Sequence, residues 1–132
     1  MGFVRPKVMQ GNQEREARTG DGLLAHLRIT TNSSAGAQTI PVAAMLGGVA
    51  LFTGAAGAVN YTTDTAANIL AAMPAMDIGD TYSFLLTNTA AQVATIVAGT
   101  GVTLAGFTTL NAATRRCIIE KTSATTVTIT SV

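Results

Sequence analysis

The side chains able to do chemistry are few and far apart. His26 is the single histidine, so any Ser–His–Asp relay must pass through it, with Asp64, Asp77 or Asp80 as the orienting carboxylate. Ser33, Ser34, Ser83, Ser123 and Ser131 all lack the Gly-x-Ser-x-Gly elbow that presents a nucleophilic serine on a strained turn. His26 lies next but one to Arg28 on the polar side of an alternating stretch, where a solvated or interface histidine is the ordinary role. Asp77 and Asp80 form a close pair around Gly79. Calcium loops present more oxygens at shorter, regular spacing, so the pair reads as a turn whose carboxylates accept from nearby backbone N–H groups. Cys117 is alone, which excludes an internal disulfide and a paired-cysteine metal site and leaves it as a small buried hydrophobe. Gly99-Thr100-Gly101 matches neither a dinucleotide fingerprint nor a phosphate loop and reads as a hairpin turn. These residues point away from an enzyme, and no cofactor or metal site is expected.

The distribution of charge says more. Eight Lys or Arg and seven Asp or Glu serve 132 residues. Arg5, Lys7, Glu14, Arg15, Glu16, Arg18, Asp21 and Arg28 crowd the start, and no Asp, Glu, Lys or Arg lies between Arg28 and Asp64 or between Asp80 and Arg115. The chain divides into a charged, extended N-terminal arm over residues 1–22 and a sparsely charged Thr/Ala/Val/Gly body over residues 23–132. The formal net charge of +1 gives no field that would steer the whole molecule to nucleic acid or to an anionic membrane. Tyr61, Tyr82, Phe84 and Phe107 are scattered and core-like, not a stacking platform for bases.

The arm is the candidate partner-binding element. Its basic residues Arg5, Lys7, Arg15 and Arg18 suit carboxylates on a partner. Phe3, Val4, Val8 and Met9 are interleaved with them. A solvated, solubilising terminus is the plainer alternative, but it has little use for four apolar residues. Met1-Gly2 resembles a myristoylation start, yet Pro6 stands where Ser or Thr is needed, and no apolar run of a secretory signal follows Met1. Residues 40–59 are uncharged and long enough to cross a bilayer, but Pro41, Gly47, Gly48, Gly54 and Gly57 favour a buried or subunit-facing segment.

The elements that must position these residues are mostly strands. Leu23, Ala25, Leu27 and Ile29 alternate with Leu24, His26, Arg28 and Thr30, which predicts a strand over 23–30 with one apolar face. Short strands follow around Ile40 and Val42, over 49–52 and over 58–62, with Pro41 confining the first to an edge. One helix is expected, over about 64–73: Thr63 or Asp64 caps it, Ala66, Ile69, Leu70 and Met73 share a face, and Pro74 stops it. Beyond it, Tyr82, Phe84 and Leu86 alternate with Ser83, Leu85 and Thr87 until Asn88 closes the run. Further strands are expected over 93–98, 102–104, 107–110, 114–121 and 125–131, with a turn at 111–113. Arg115 and Arg116 then face opposite sides of their sheet, and Val127 and Ile129 face the core. Short strands at this spacing give a mainly β fold, a β-sandwich or jelly-roll-like barrel. Large core-filling residues are scarce and the Thr/Ala edges carry no charge, so cover by other subunits is expected.

The stretch from Tyr61 to Ile129 resembles a module of tailed-bacteriophage virion structural proteins, including capsid decoration (cement) proteins and fibre-like proteins. The resemblance rests on Thr65-Ala66-Ala67-Asn68-Ile69-Leu70, Ile78-Gly79-Asp80-Thr81-Tyr82-Ser83-Phe84, Asn88-Thr89, Gly99-Thr100-Gly101-Val102-Thr103-Leu104 and Thr125-Thr126-Val127-Thr128-Ile129. It covers about half the chain. It implies a virion-surface structural protein, usually a homotrimer, made in the host cytoplasm and bound to the major capsid protein, without nucleic acid or membrane as partner. It brings no catalytic residues. A fibre, tail or receptor-binding module is the alternative, separated from decoration by copy number per particle.

Overall fold

A computed structural model describes residues 27–107 and 109–132. The arm and His26 lie outside the described residues, as does the first half of the strand expected over 23–30. The fold is mainly β, with eight strands and two short helices among the described residues. In chain order these are β1 (Arg28–Asn32), β2 (Gln38–Ile40), α1 (Val42–Gly47), β3 (Gly48–Phe52), β4 (Val59–Thr63), α2 (Ala66–Ala72), β5 (Thr81–Val97), β6 (Val102–Ala105), β7 (Leu110–Lys121) and β8 (Val127–Ser131).

The longest strand, β5, organises the rest. On one side it pairs antiparallel with β7. On the other, its first half takes β3 and its second half takes β4, both parallel. β1 adds to β3 and β2 to β4, so the sheet forks along β5. Beyond β7 the order runs β8 and then β6. Five of the seven pairings are parallel. Parallel neighbours cannot be joined by a tight turn, so the chain must cross over, and α2 is the crossover from β4 to its neighbour β5.

The fork depends on a bend in β5. Register with β7 is regular up to Asn88↔Ala113 and resumes at Val93↔Asn111. Four residues of β5 thus face a single residue of β7, Ala112, which takes φ +48°. Asn88 is buried inside the bend. Its Nδ2 donates to Gln92 O (2.8 Å) and Leu110 O (3.1 Å), and its Oδ1 accepts from Ala90 N (3.1 Å). The side chain supplies the partners that the interrupted ladder does not. Inward parity survives the bend: Phe84, Leu86 and Asn88 before it, and Ala94 and Ile96 after it, are all buried. Ile40, Met45, Phe52, Tyr61, Ile69, Cys117, Ile119, Val127 and Ile129 complete one core enclosed by the sheet and both helices. Phe52 and Tyr61 stack there with centroids 4.0 Å apart.

Several expectations meet the structure directly. The helix expected over about 64–73 is α2, with Thr65 as N-cap accepting from Asn68 N at 3.2 Å. A second helix, α1, replaces the strand expected around Val42. Pro41 precedes it in an extended conformation, its carbonyl accepts from Ala44 and Met45, and Gly48 ends it at φ +103°. Residues 111–113 do not turn the chain but belong to β7, with the irregularity absorbed at Ala112. The 93–98 strand is not separate, because Asn88 bends β5 rather than ending it. Nor does Gly99-Thr100-Gly101 close a hairpin: the end of β5 pairs with β4, and β6 pairs with β8. Gly99 is required by close approach, since a Cβ would collide with the backbone of Thr63 and Asp64. No helix among the described residues is long and apolar enough to cross a membrane.

Candidate interaction surface

Strand register places the outward-facing side chains in rows. Ile29, Val49, Leu85 and Arg116 stand side by side across β1, β3, β5 and β7. Thr31, Leu51, Thr87 and Thr114 form the next row. On the other flank, Ser83, Ile118 and Thr130 form a row across β5, β7 and β8. The face therefore has an apolar row running in from the β1 edge, hydroxyl-bearing residues on either side and little charge. Thr87 and Thr114 pair through their own Oγ1 atoms at 3.0 Å, so part of that border is already hydrogen-bonded.

Alternation places Leu27 and Ile29 on one apolar face of the first strand, and in the structure that face points outward. They are 69% and 60% exposed, and Ile29 stands in the outer row beside Val49. An edge strand has a neighbour on one side only, so its outer-face residues keep most of their surface in water. β1, β2 and β6 each end a branch of the sheet among the described residues, and Arg28 is the one charged residue in the three.

Arg115 and Arg116 divide as their alternation predicts. Arg116 is exposed beside Leu85 on the outer face, whereas Arg115 lies opposite buried Leu86. Cys117 is fully buried; burial pushes its thiol up to about 12, and the nearby Arg115 charge only partly offsets this. Such a thiol is inert at neutral pH. Asp80 Oδ2 accepts from Asp77 N at 2.9 Å, which closes the Asp77–Asp80 turn. Among the described residues no group of three or more His, Cys, Asp or Glu is gathered as a metal site requires. Asp64 has a structural role, because its carboxylate accepts from Val42 N, Thr65 N and Asn68 Nδ2 and so ties α1 to α2. Burial alone would raise its pKa, but these hydrogen bonds outweigh burial and hold it below the usual carboxylate value.

A second feature has almost no signal in the sequence. A groove of about 740 Å³ opens at one end of the core, between the C-terminal ends of α1 and α2 and the start of β5. Leu46, Met73, Met76 and Tyr82 give it apolar walls, and Asp80 lies at its margin. Tyr82 donates from its hydroxyl to Leu46 O at 2.6 Å, and Lys121 Nζ donates to Met76 O at 2.9 Å. Met73-Pro74-Ala75-Met76 after a helix is the one available signal, and by pattern it marks only a stop. The partner-binding residues Phe3, Val4, Arg5, Lys7, Val8, Met9, Arg15 and Arg18 all lie outside the described residues. Comparison with protein-family models, curated proteins and solved structures gave no match.

Proposed function

We propose that this chain is a structural virion protein: it binds the outside of a phage capsid as an oligomer, a homotrimer, and stabilises the shell. Its work is binding, not catalysis. The observation that carries this reading is the outer sheet face, where Ile29, Val49 and Leu85 form an apolar row running in from the β1 edge, hydroxyl-bearing residues lie on either side and the sheet edges are almost without charge. Exposed apolar side chains beside hydroxyl groups suit a protein–protein interface, and uncharged edges are tolerated where a neighbour covers them. The resemblance over residues 61–129 supplies the class of assembly. The arm is the complementary part: its basic and apolar residues suit a capsid surface carrying carboxylates, and many weak arms on one particle gain strength by multivalency.

Removal of residues 1–20 tests the reading. The truncated protein should keep the oligomeric mass of the parent in analytical ultracentrifugation and should no longer co-sediment with capsids or raise their melting temperature. Normal decoration by the truncated protein would overturn the role of the arm. A copy number of a handful per particle, instead of hundreds, would favour a fibre or tail module.

A further inference from the structure

The groove between α1, α2 and β5 lies beside the point where the chain enters the fold. Arg28, the first residue of β1, pairs with Gly48, and a Cβ on Gly47 would stand 3.1 Å from Arg28 O. Leu46, one residue before Gly47, lines the groove and accepts the Tyr82 hydrogen bond. The segment preceding β1 therefore starts out next to this opening.

We propose that the groove is the docking site for residues 3–9 of the same chain, and that the arm is stowed there before it engages any partner. The chemistry of the two matches. The segment offers Phe3, Val4, Val8 and Met9 as apolar groups and Arg5 and Lys7 as cations, with no acid among them. The groove offers apolar walls with two thioethers, from Met73 and Met76, and an acidic margin at Asp80 with Asp77 three residues away. Thioethers pack favourably against aromatic rings, which suits Phe3. The nearby cation, Lys121, already donates to Met76 O and closes the Asp77–Asp80 side of the site. The groove volume falls within the range of pockets that bury most of a small ligand, about 300–1,000 Å³.

Reach and concentration both favour the chain's own arm. Seventeen residues separate Met9 from Leu27, and at about 3.3–3.6 Å per residue they span roughly 56–61 Å when extended. That is ample to return to an opening beside Arg28. A tether of this length holds its end at an effective concentration in the mM range. A segment of only mM-range intrinsic affinity would therefore be docked about half of the time.

The test uses the full chain and does not depend on a capsid, so its failure is distinct from failure of the decoration reading. The protein has no tryptophan, so Phe3→Trp introduces a single reporter. Its emission should be shifted to the blue, and its quenching by acrylamide slowed several-fold, relative to a free peptide of residues 1–12 carrying the same substitution. Ala75→Lys places a cation in the groove at an exposed position, and Asp77→Asn with Asp80→Asn removes the acidic margin. Each change should return the emission toward that of the peptide while circular dichroism stays unchanged. Emission equal to that of the peptide in a chain altered only by Phe3→Trp would overturn the proposal. So would a blue shift that survives Ala75→Lys, or one that grows with protein concentration, which would assign the contact to a second copy.

Discussion

Replacing Asn88 with alanine should cost this fold more than any exposed substitution, and the amount follows from its partners. The side chain is buried and makes three hydrogen bonds, to Gln92 O, Leu110 O and Ala90 N. Each net bond is worth about 1 kcal/mol, and the backbone groups left behind in the bend cannot easily regain water. The expected loss is about 3 kcal/mol. For a domain of this size 1 kcal/mol moves the melting temperature by about 4 °C, so Asn88→Ala should melt about 12 °C lower. Thermal unfolding by circular dichroism reads this directly, with Thr87→Ala as control, since the Thr87–Thr114 pair is exposed. Asn88→Asp keeps an acceptor for Ala90 N but loses both donors and buries a charge, so it should be no better than alanine. Amide exchange at Ala90 should accelerate in both variants. A melt within about 2 °C of the parent would refute the assignment, because it would mean that the bend holds without its side chain.

Three further outcomes are expected. Tyr61 Oη is buried with no hydrogen-bond partner among the described residues, and an unsatisfied hydroxyl costs about 1–3 kcal/mol. Tyr61→Phe should therefore be neutral or stabilising in urea denaturation, and clear destabilisation would reveal a partner. The raised Cys117 pKa means that the folded state disfavours the thiolate. Its contribution to stability is whole below the unfolded value near 9 and is lost as pH rises toward 12. A thiol reagent at about pH 8, below that window, should label the native protein only as fast as it opens, with labelling accelerated by denaturant. Asp64 has a depressed pKa, so its contribution is present above the ordinary carboxylate range and is lost as pH falls through the folded value. Asp64→Asn should lower stability near neutral pH and flatten the acid limb of the stability–pH curve.

The legible parts of the fold are those written in local periodicity. Val127 and Ile129 in β8 alternate strictly with threonine, Phe84 and Leu86 in β5 and Cys117 and Ile119 in β7 keep the same period of two, and all six are buried. α2 is legible because its apolar stripe and Pro74 agree, although its N-cap is Thr65 and not the expected Thr63 or Asp64. α1 carries its own signal: Pro41, then Ala43-Ala44-Met45-Leu46, then Gly47-Gly48 is a helix start, helix formers and a left-handed stop. The β-branched Ile40 and Val42 beside it point instead to a strand, and they mask that signal. Pairing is not legible, because partners such as Val102 and Val127 meet only in the folded sheet and leave no local trace. The outer apolar row is hidden for the same reason, since Ile29, Val49 and Leu85 come from three separate strands. The groove is hidden because its walls come from two helices and a strand, and its chemistry lies in ordinary residues such as Leu46 and Met76.

The placement of β8 between β7 and β6 has a consequence for the order in which the chain is made. β6 emerges from the ribosome with no strand to join, because its partner Val127 follows Val102 by 25 residues. Until β8 arrives, β6 is an uncharged Val-Thr-Leu-Ala segment exposed to other nascent chains. Completion of this edge of the sheet waits on β8. A translational pause before residue 127 would prolong a state inclined to pair with the wrong neighbour, and crowding on a polysome would determine how often that happens.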